Sequence, residues 1–399
     1  AAKLSSGATY LLIAMSAVIH PGPKRQLPQV VWIFVIVAIA SIFYVLTTEE
    51  RARAVVMRVQ WVCVTLAGVY TARTIVSYSD LRRVIDGLTW GCIFAIALPF
   101  SGFLIDPLGS FLRGQGRFEP WGANSNQIGM LFALATPLLA YTLMSLKKPS
   151  LKPFLLSCLV VTLGMALMTA SRQTLLAIFL VMIPVFFVLV KRPIFMILAI
   201  GTGVIGLSFM LSIGENAEFD RLGNLETGRL DIWYTYWTQV FPSRPLFGLL
   251  GTAGQSFEKS LIEVGQHPHN AWFYLMYLGG ATLALPMFYL TVYSSYCGAK
   301  LWKFRNYLPG DPLLYSILVM LLLAMYIQGL FNQVVYWPTY TWSFLHVVLA
   351  CLFIAVWQDI RDGKLRESLY NDSGEEEEEY EEYSEDFEDF VNEDSQALE

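Results

Sequence analysis

Eleven runs of mostly apolar residues, each near the length of a bilayer crossing, constrain this chain more than any other feature. A helix needs about 20 such residues to span roughly 30 Å of hydrocarbon. The runs lie near 8–20, 29–46, 55–71, 88–105, 127–146, 154–170, 174–190, 194–213, 271–294, 313–331 and 340–357. The first is short and the third carries Arg58, so these two depart furthest from the pattern. No useful length alternates with period two, and lipid admits no open sheet edge. The expected fold is therefore an all-α polytopic membrane protein with about eleven transmembrane helices. The chain opens Ala1-Ala2-Lys3 without a Met, and one helix ahead of it would make twelve.

Composition excludes the soluble classes. Of the 399 residues, 55% are hydrophobic and 15% charged, with a mean hydropathy of +0.50. An ordinary soluble domain carries roughly 25% charged residues. The charge is also uneven: residues 371–399 hold 15 acids and no Lys or Arg, which leaves 17 acids against 27 bases in residues 1–370. The net charge of −5 is thus +10 in the body and −15 in the tail. A soluble enzyme, a coiled-coil or collagen-like fibre, and a disulfide-stapled secreted domain are all excluded.

Lys and Arg in the short loops set the orientation. Lys24-Arg25, then Arg73, Arg82 and Arg83, then Lys147, Lys148 and Lys152, then Lys191-Arg192, then Lys300, Lys303 and Arg305 occupy alternate loops. Placing this basic set in the cytoplasm puts the C-terminus inside and residue 1 outside. The body is expected over residues 1–366, with a disordered acidic tail at 367–399 that is solvated or docks a basic cytoplasmic partner. The largest extramembrane loop, 214–270, falls on the outer side and is long for a loop without a task. Within it Arg229, Trp233, Trp237 and Val240 fall on one expected helical stripe suited to the interface.

Several patterns carry little. Gly201-Thr-Gly203-Val-Ile-Gly206 spells a dinucleotide fingerprint, but inside an apolar run with no strand before it. Close helix packing explains it better. Cys63, Cys92, Cys158, Cys297 and Cys351 are scattered, with no CxxC pair, and read as small buried hydrophobes. His20 and His346, at a span end and within a span, read as structural. No Asp-x-Asp pair of the kind that holds a metal–nucleotide complex occurs in residues 1–370. No metal, cofactor or nucleic acid is expected.

Polar groups gather instead on the outer side. Arg117 precedes the fifth run, Asn124 and Asn126 stand at its start, and Arg172 sits in the corner between the sixth and seventh. Arg221 and Arg229 lie in the large loop, which His267-Pro268-His269-Asn270 closes. Arginines at a membrane face are costly unless paired, and few acids lie nearby, so an anion is the expected partner. The planar guanidinium fork suits phosphate oxygens. A histidine beside cations at a helix mouth is held neutral, which suits a general base. Each of these residues taken singly also reads as an ordinary surface loop residue.

The series Gly116-Arg117-Phe118, Asn124-Ser-Asn126, Thr169-Ala-Ser171-Arg172-Gln173, Gly228-Arg229-Leu230 with Trp233, Pro245-Leu-Phe-Gly248, His269-Asn270 and Gly279-Gly280 resembles the O-antigen ligase/polymerase family over residues 110–345. Such a resemblance implies a GT-C-like glycosyltransferase of the bacterial inner membrane, acting at its periplasmic face without a metal. The donor would be a glycan on undecaprenyl pyrophosphate, and the acceptor a hydroxyl of lipid A–core or of another glycan. By position, His269 matches the proposed general base and Arg229 and Arg172 the arginines that hold the pyrophosphate. Arg117, Asn124, Arg221, His267 and Asn270 are the expected substrate-binding residues. Here the corner reads Ala-Ser-Arg-Gln where the family often has Gly-Ser-Arg-Gly, and Asn124-Ser-Asn126 replaces Asn-Pro-Asn. Ligase and polymerase share the donor site, with the balance slightly toward ligase. Solute transport and a non-catalytic glycan-binding subunit are the alternatives of other classes.

Overall fold

The computed structural model describes residues 2–43, 51–112, 117–190, 229–243, 245–248, 269–331 and 341–362. These are helical, with no strand among the described residues. In chain order the helices are α1 (Ala2–Ile19), α2 (Trp32–Phe43), α3 (Arg51–Thr74), α4 (Tyr78–Ile105), α5 (Gly109–Leu112), α6 (Ser125–Ser145), α7 (Lys152–Met168) and α8 (Arg172–Val190). There follow α9 (Arg229–Thr235), α10 (Ala271–Phe304), α11 (Pro312–Phe331) and α12 (Thr341–Arg361). Among the described residues eight helices are long and apolar enough to cross a membrane, and the shorter apolar helices Ala8–Ile19 and Gln29–Phe43 match the first two runs. The run at 194–213 lies outside the described residues, as does the acidic tail.

The helices form because lipid leaves the backbone no partner but itself. Even Pro99, Pro137, Pro184 and Pro286 are carried inside helices. Helix α6 sits centrally, packed against α4, α7 and α8, while α8 also packs against α11. A second group has α3 against α1, α2 and α12, and α10 joins the two groups through α11, α12 and α2. Phe94, Leu98, Phe179 and Phe187 point outward from α4 and α8, each more than half exposed, as a lipid-facing surface requires.

One end of the bundle is basic and tightly stitched. Arg25 Nη1 meets Asp359 Oδ2 at 2.8 Å, while Nε and Nη2 donate to the carbonyls of Ile75 (3.0 Å) and Val76 (2.9 Å). The arginine thereby satisfies carbonyls just beyond α3 and ties them to α12. Arg82 lies over the Tyr141 ring at 4.8 Å, and Tyr141 shares a hydrogen bond with Tyr78 (3.1 Å). All five cysteines are free thiols.

Candidate functional site at the opposite end of the bundle

Three membrane helices start at the end opposite the Arg25 stitch, two of them capped by an asparagine side chain and the third preceded by a serine. The Asn124 side chain accepts from Asn126 N and starts α6. Asn270 starts α10, its Oδ1 accepting from Trp272 N (2.8 Å) and Phe273 N (3.2 Å). Ser171 precedes α8 and donates from Oγ to Asn126 Oδ1 at 3.0 Å. Helix starts carry unsatisfied N–H groups and a positive dipole end, so together they favour negative charge.

Hydrogen bonds join these starts into one rim. Arg117 donates from Nε to the Thr169 carbonyl (3.1 Å) and from Nη2 to Asn126 Oδ1 (2.9 Å). That holds the outer segment before α6 against the α7–α8 corner, where Arg172, half-buried, is the first residue of α8. Gln328 of α11 donates to the Gln173 carbonyl (3.4 Å), and Asn270 Nδ2 to the Leu330 carbonyl (3.0 Å). The route runs from Arg117 through α8 and α11 to Asn270 without a break. Beneath the rim, Ser125 Oγ, Thr174 Oγ1, Gln173 Oε1 and Gln328 Oε1 are buried with no protein hydrogen-bond partner. Buried oxygens of this kind are rare, and their clustering marks this end as polar beyond what the fold itself uses.

Backbone strain concentrates in the same place. Among the described residues the non-glycine residues with positive φ are Trp121 (56°), Ala170 (47°) and His269 (47°). Each stands just before α6, α8 or α10, and strained residues persist where the surroundings over-determine them. His269 is exposed, next to buried Asn270. Asn270 is engaged at both ends of its amide, so it holds His269 in place.

Helix α9 lies over this end. Ile232 and Tyr236 are buried, and the Trp233 ring lies 6.0 Å from Phe273 and 6.5 Å from Phe331. The expected single stripe is corrected here. Over Tyr236–Val240 the helix widens to π geometry, which changes the angle between successive side chains. Trp233 therefore faces the bundle while Trp237, 56% exposed, faces outward with Leu230 and Tyr234 and stacks on Phe241.

The Pro245–Gly248 turn then clamps onto a break in α10. Gly279 and Gly280 have non-helical backbones there. The Pro245 and Leu246 carbonyls accept from Ala281 N (2.8 Å) and Thr282 N (3.1 Å), capping the helix as it restarts. A Cβ on Gly248 would stand 2.6 Å from Gly280 N and the Tyr277 carbonyl, and one on Gly280 2.5 Å from the Leu246 carbonyl carbon. Two sequence patterns, Pro-Leu-Phe-Gly and Gly-Gly, are thus one joint.

Of the expected site residues, the structure gathers Arg117, Asn124, Arg172, His269 and Asn270 at one end, together with the start of α9. The Arg229 side chain, Arg221 and His267 lie outside the described residues. Sequence reasoning passed over Ser171 and Gln173 as bonding partners, and Gln328 altogether. The signal for Gln328 was a lone amide in an apolar run. Arg58, noted only as a blemish in the third run, is buried in α3. No cluster of three His, Cys, Asp or Glu able to hold a metal occurs among the described residues.

No protein-family model matches the chain, and no curated protein is found similar to it.

Proposed function

We propose that this protein transfers a glycan from an undecaprenyl-pyrophosphate carrier to an acceptor hydroxyl at the periplasmic face of a bacterial inner membrane. What carries the reading is that Arg117, Arg172 and His269 lie at the same end of the bundle as three helix starts, two of them capped by asparagine, and three strained backbone positions, while the other end is basic. Under the positive-inside rule the basic end is cytoplasmic and the candidate site periplasmic.

In this mechanism His269 takes the proton of the acceptor hydroxyl as its oxygen attacks the anomeric carbon. The bond from that carbon to the pyrophosphate oxygen breaks, and the electron pair leaves on the pyrophosphate. Arg172 and Arg229 stabilise the charge that builds there, an effect greatest in a site shielded from water. Attack opposite the leaving group inverts the anomeric centre. The outward face of α9, with Leu230, Tyr234 and Trp237, suits contact with the lipid carrying the donor.

The test is release of carrier pyrophosphate from a lipid-linked glycan in the presence of an acceptor. His269→Ala and Arg172→Ala, each checked for unchanged melting temperature, are expected to lower the rate by about 100-fold or more. Full activity in both would remove the mechanism. Solute transport stands as a second reading on one observation: His346, Tyr326 and Ser294 form a buried hydrogen-bonded chain inside the bundle, at 3.0 and 2.6 Å. Polar chains at such depth mark transport paths in other proteins. Uptake of a solute by vesicles without glycan transfer would favour it.

A further inference from the structure

Helix α1 packs on α3, whereas α4 packs on α6 and α7. Between α1 and the start of α4 this leaves an open groove of about 510 Å³ at the basic end, away from the candidate site. One face of α1 lines it from Thr9 through Leu12, Ile13, Ser16 and Ala17 to His20, residues spaced three and four apart as on a single helical stripe. Across from them stand Thr71 and Thr74 at the end of α3, and Asp80, Arg83 and Val84 in the first turns of α4. The ionisable groups of this lining, His20, Asp80 and Arg83, all stand at the mouth, where the helices meet their loops. From His20 back to Thr9 is about 16 Å by helical rise, close to half of the roughly 30 Å of hydrocarbon. The groove therefore runs from headgroup level to the bilayer middle, the reach of an acyl chain in a single leaflet.

At the mouth the charges are unequally engaged. Asp80 Oδ2 accepts from Ser77 N (3.0 Å) and Ser77 Oγ (2.8 Å) in the box that starts α4. Asp80 Oδ1 meets Arg83 Nη1 at 3.3 Å, yet the Arg83 side chain is 78% exposed. Asp80 is thus committed to the fold, while most of the guanidinium faces outward. The His20 ring folds back over Gly22, where a Cβ would stand 2.6 Å from Nε2.

We propose that this groove binds one anionic diacyl phospholipid of the leaflet at the basic end, its phosphate at Arg83 and His20 and one acyl chain along the α1 face. The guanidinium fork takes two phosphate oxygens at once, and imidazole offers an N–H even when uncharged. Lys24 and Arg73, near His20 and Thr74 in the chain, add to the field that draws an anionic headgroup. A free phosphate ion would use the mouth but not the apolar shaft lined by Leu12, Ile13 and Ala17. Such a lipid site stands or falls apart from the glycan-transfer reading.

The test follows lipid exchange on the full chain in nanodiscs, with phosphatidylglycerol and phosphatidylcholine as competing probes and retained lipid counted by native mass spectrometry. Wild type is expected to prefer phosphatidylglycerol by about tenfold. Arg83→Gln gives up only an exposed ion pair, so it should melt as wild type does and lose about fivefold of that preference. Ala17→Phe fills the shaft without touching a charge and should lower retention of both lipids, with its melting temperature in phosphatidylcholine as the check on folding. Equal retention of the two lipids by wild type, an unchanged preference in Arg83→Gln, or unchanged retention in a folded Ala17→Phe would overturn the proposal. Arg83-dependent binding of inorganic phosphate without retained lipid would overturn it in favour of a soluble anion. A preference that emerges only after the acidic tail is clipped by protease would make that tail the resident occupant and overturn the lipid.

Discussion

Ala170 holds a left-handed backbone, φ 47°, at the corner between α7 and α8. An L-residue with a Cβ pays roughly 1–2 kcal/mol there, a cost that glycine escapes. Ala170→Gly is expected to raise stability by about 0.5–1 kcal/mol, seen as a higher melting temperature. His269 carries the same torsion, but there the side chain is the point. Histidine is among the residues that tolerate this region, and Asn270 fixes it by capping α10 and bonding Leu330. Arg172 and His269 were legible as residue types at helix mouths. The pairing of Gln173 with Gln328 was not, because it joins two distant helices that spacing cannot relate.

Among the elements, α10 does the most unusual work. One unbroken apolar run over 271–294 was expected, whereas the helix breaks at Gly279-Gly280 and continues to Phe304. The extension holds because Phe304 stacks on Trp357 and Tyr296 meets it edge-on. The break holds because Pro245 and Leu246 lend carbonyls to the restarting helix. Gly280→Ala would drive a Cβ into backbone atoms that cannot yield. It is expected to cost about 2–3 kcal/mol and to deprotect the Ala281 and Thr282 amides in hydrogen exchange, with the basic end unaffected. Helix starts were the most legible feature: apolar runs at 127–146 and 174–190 foreshadow α6 and α8 within two residues. Helix α4 begins at Tyr78 and not near 88, because Arg82, Arg83 and Asp86 mask its first turns while Ser77 and Asp80 close a capping box.

Across the whole molecule the two ends differ in kind. At the basic end Arg25 meets every demand within the fold, so it is stabilising. Arg25→Ala should cost about 2–3 kcal/mol by removing the ion pair with Asp359 and stranding the Ile75 and Val76 carbonyls. Thermal unfolding checks this. The opposite end keeps buried oxygens and left-handed torsions that the fold does not need, the pattern of a surface shaped for something else. The clamp of Gly248 on Gly280 gives that surface a further property. Gly248 packs on Gly280 and Asn270 caps the start of the same helix, so two anchors far apart in the chain stand on α10. Doubling a loop's length costs only about 0.6 kcal/mol in closure entropy. Length changes between these two anchors are therefore expected to leave the joint and the Asn270 cap in place.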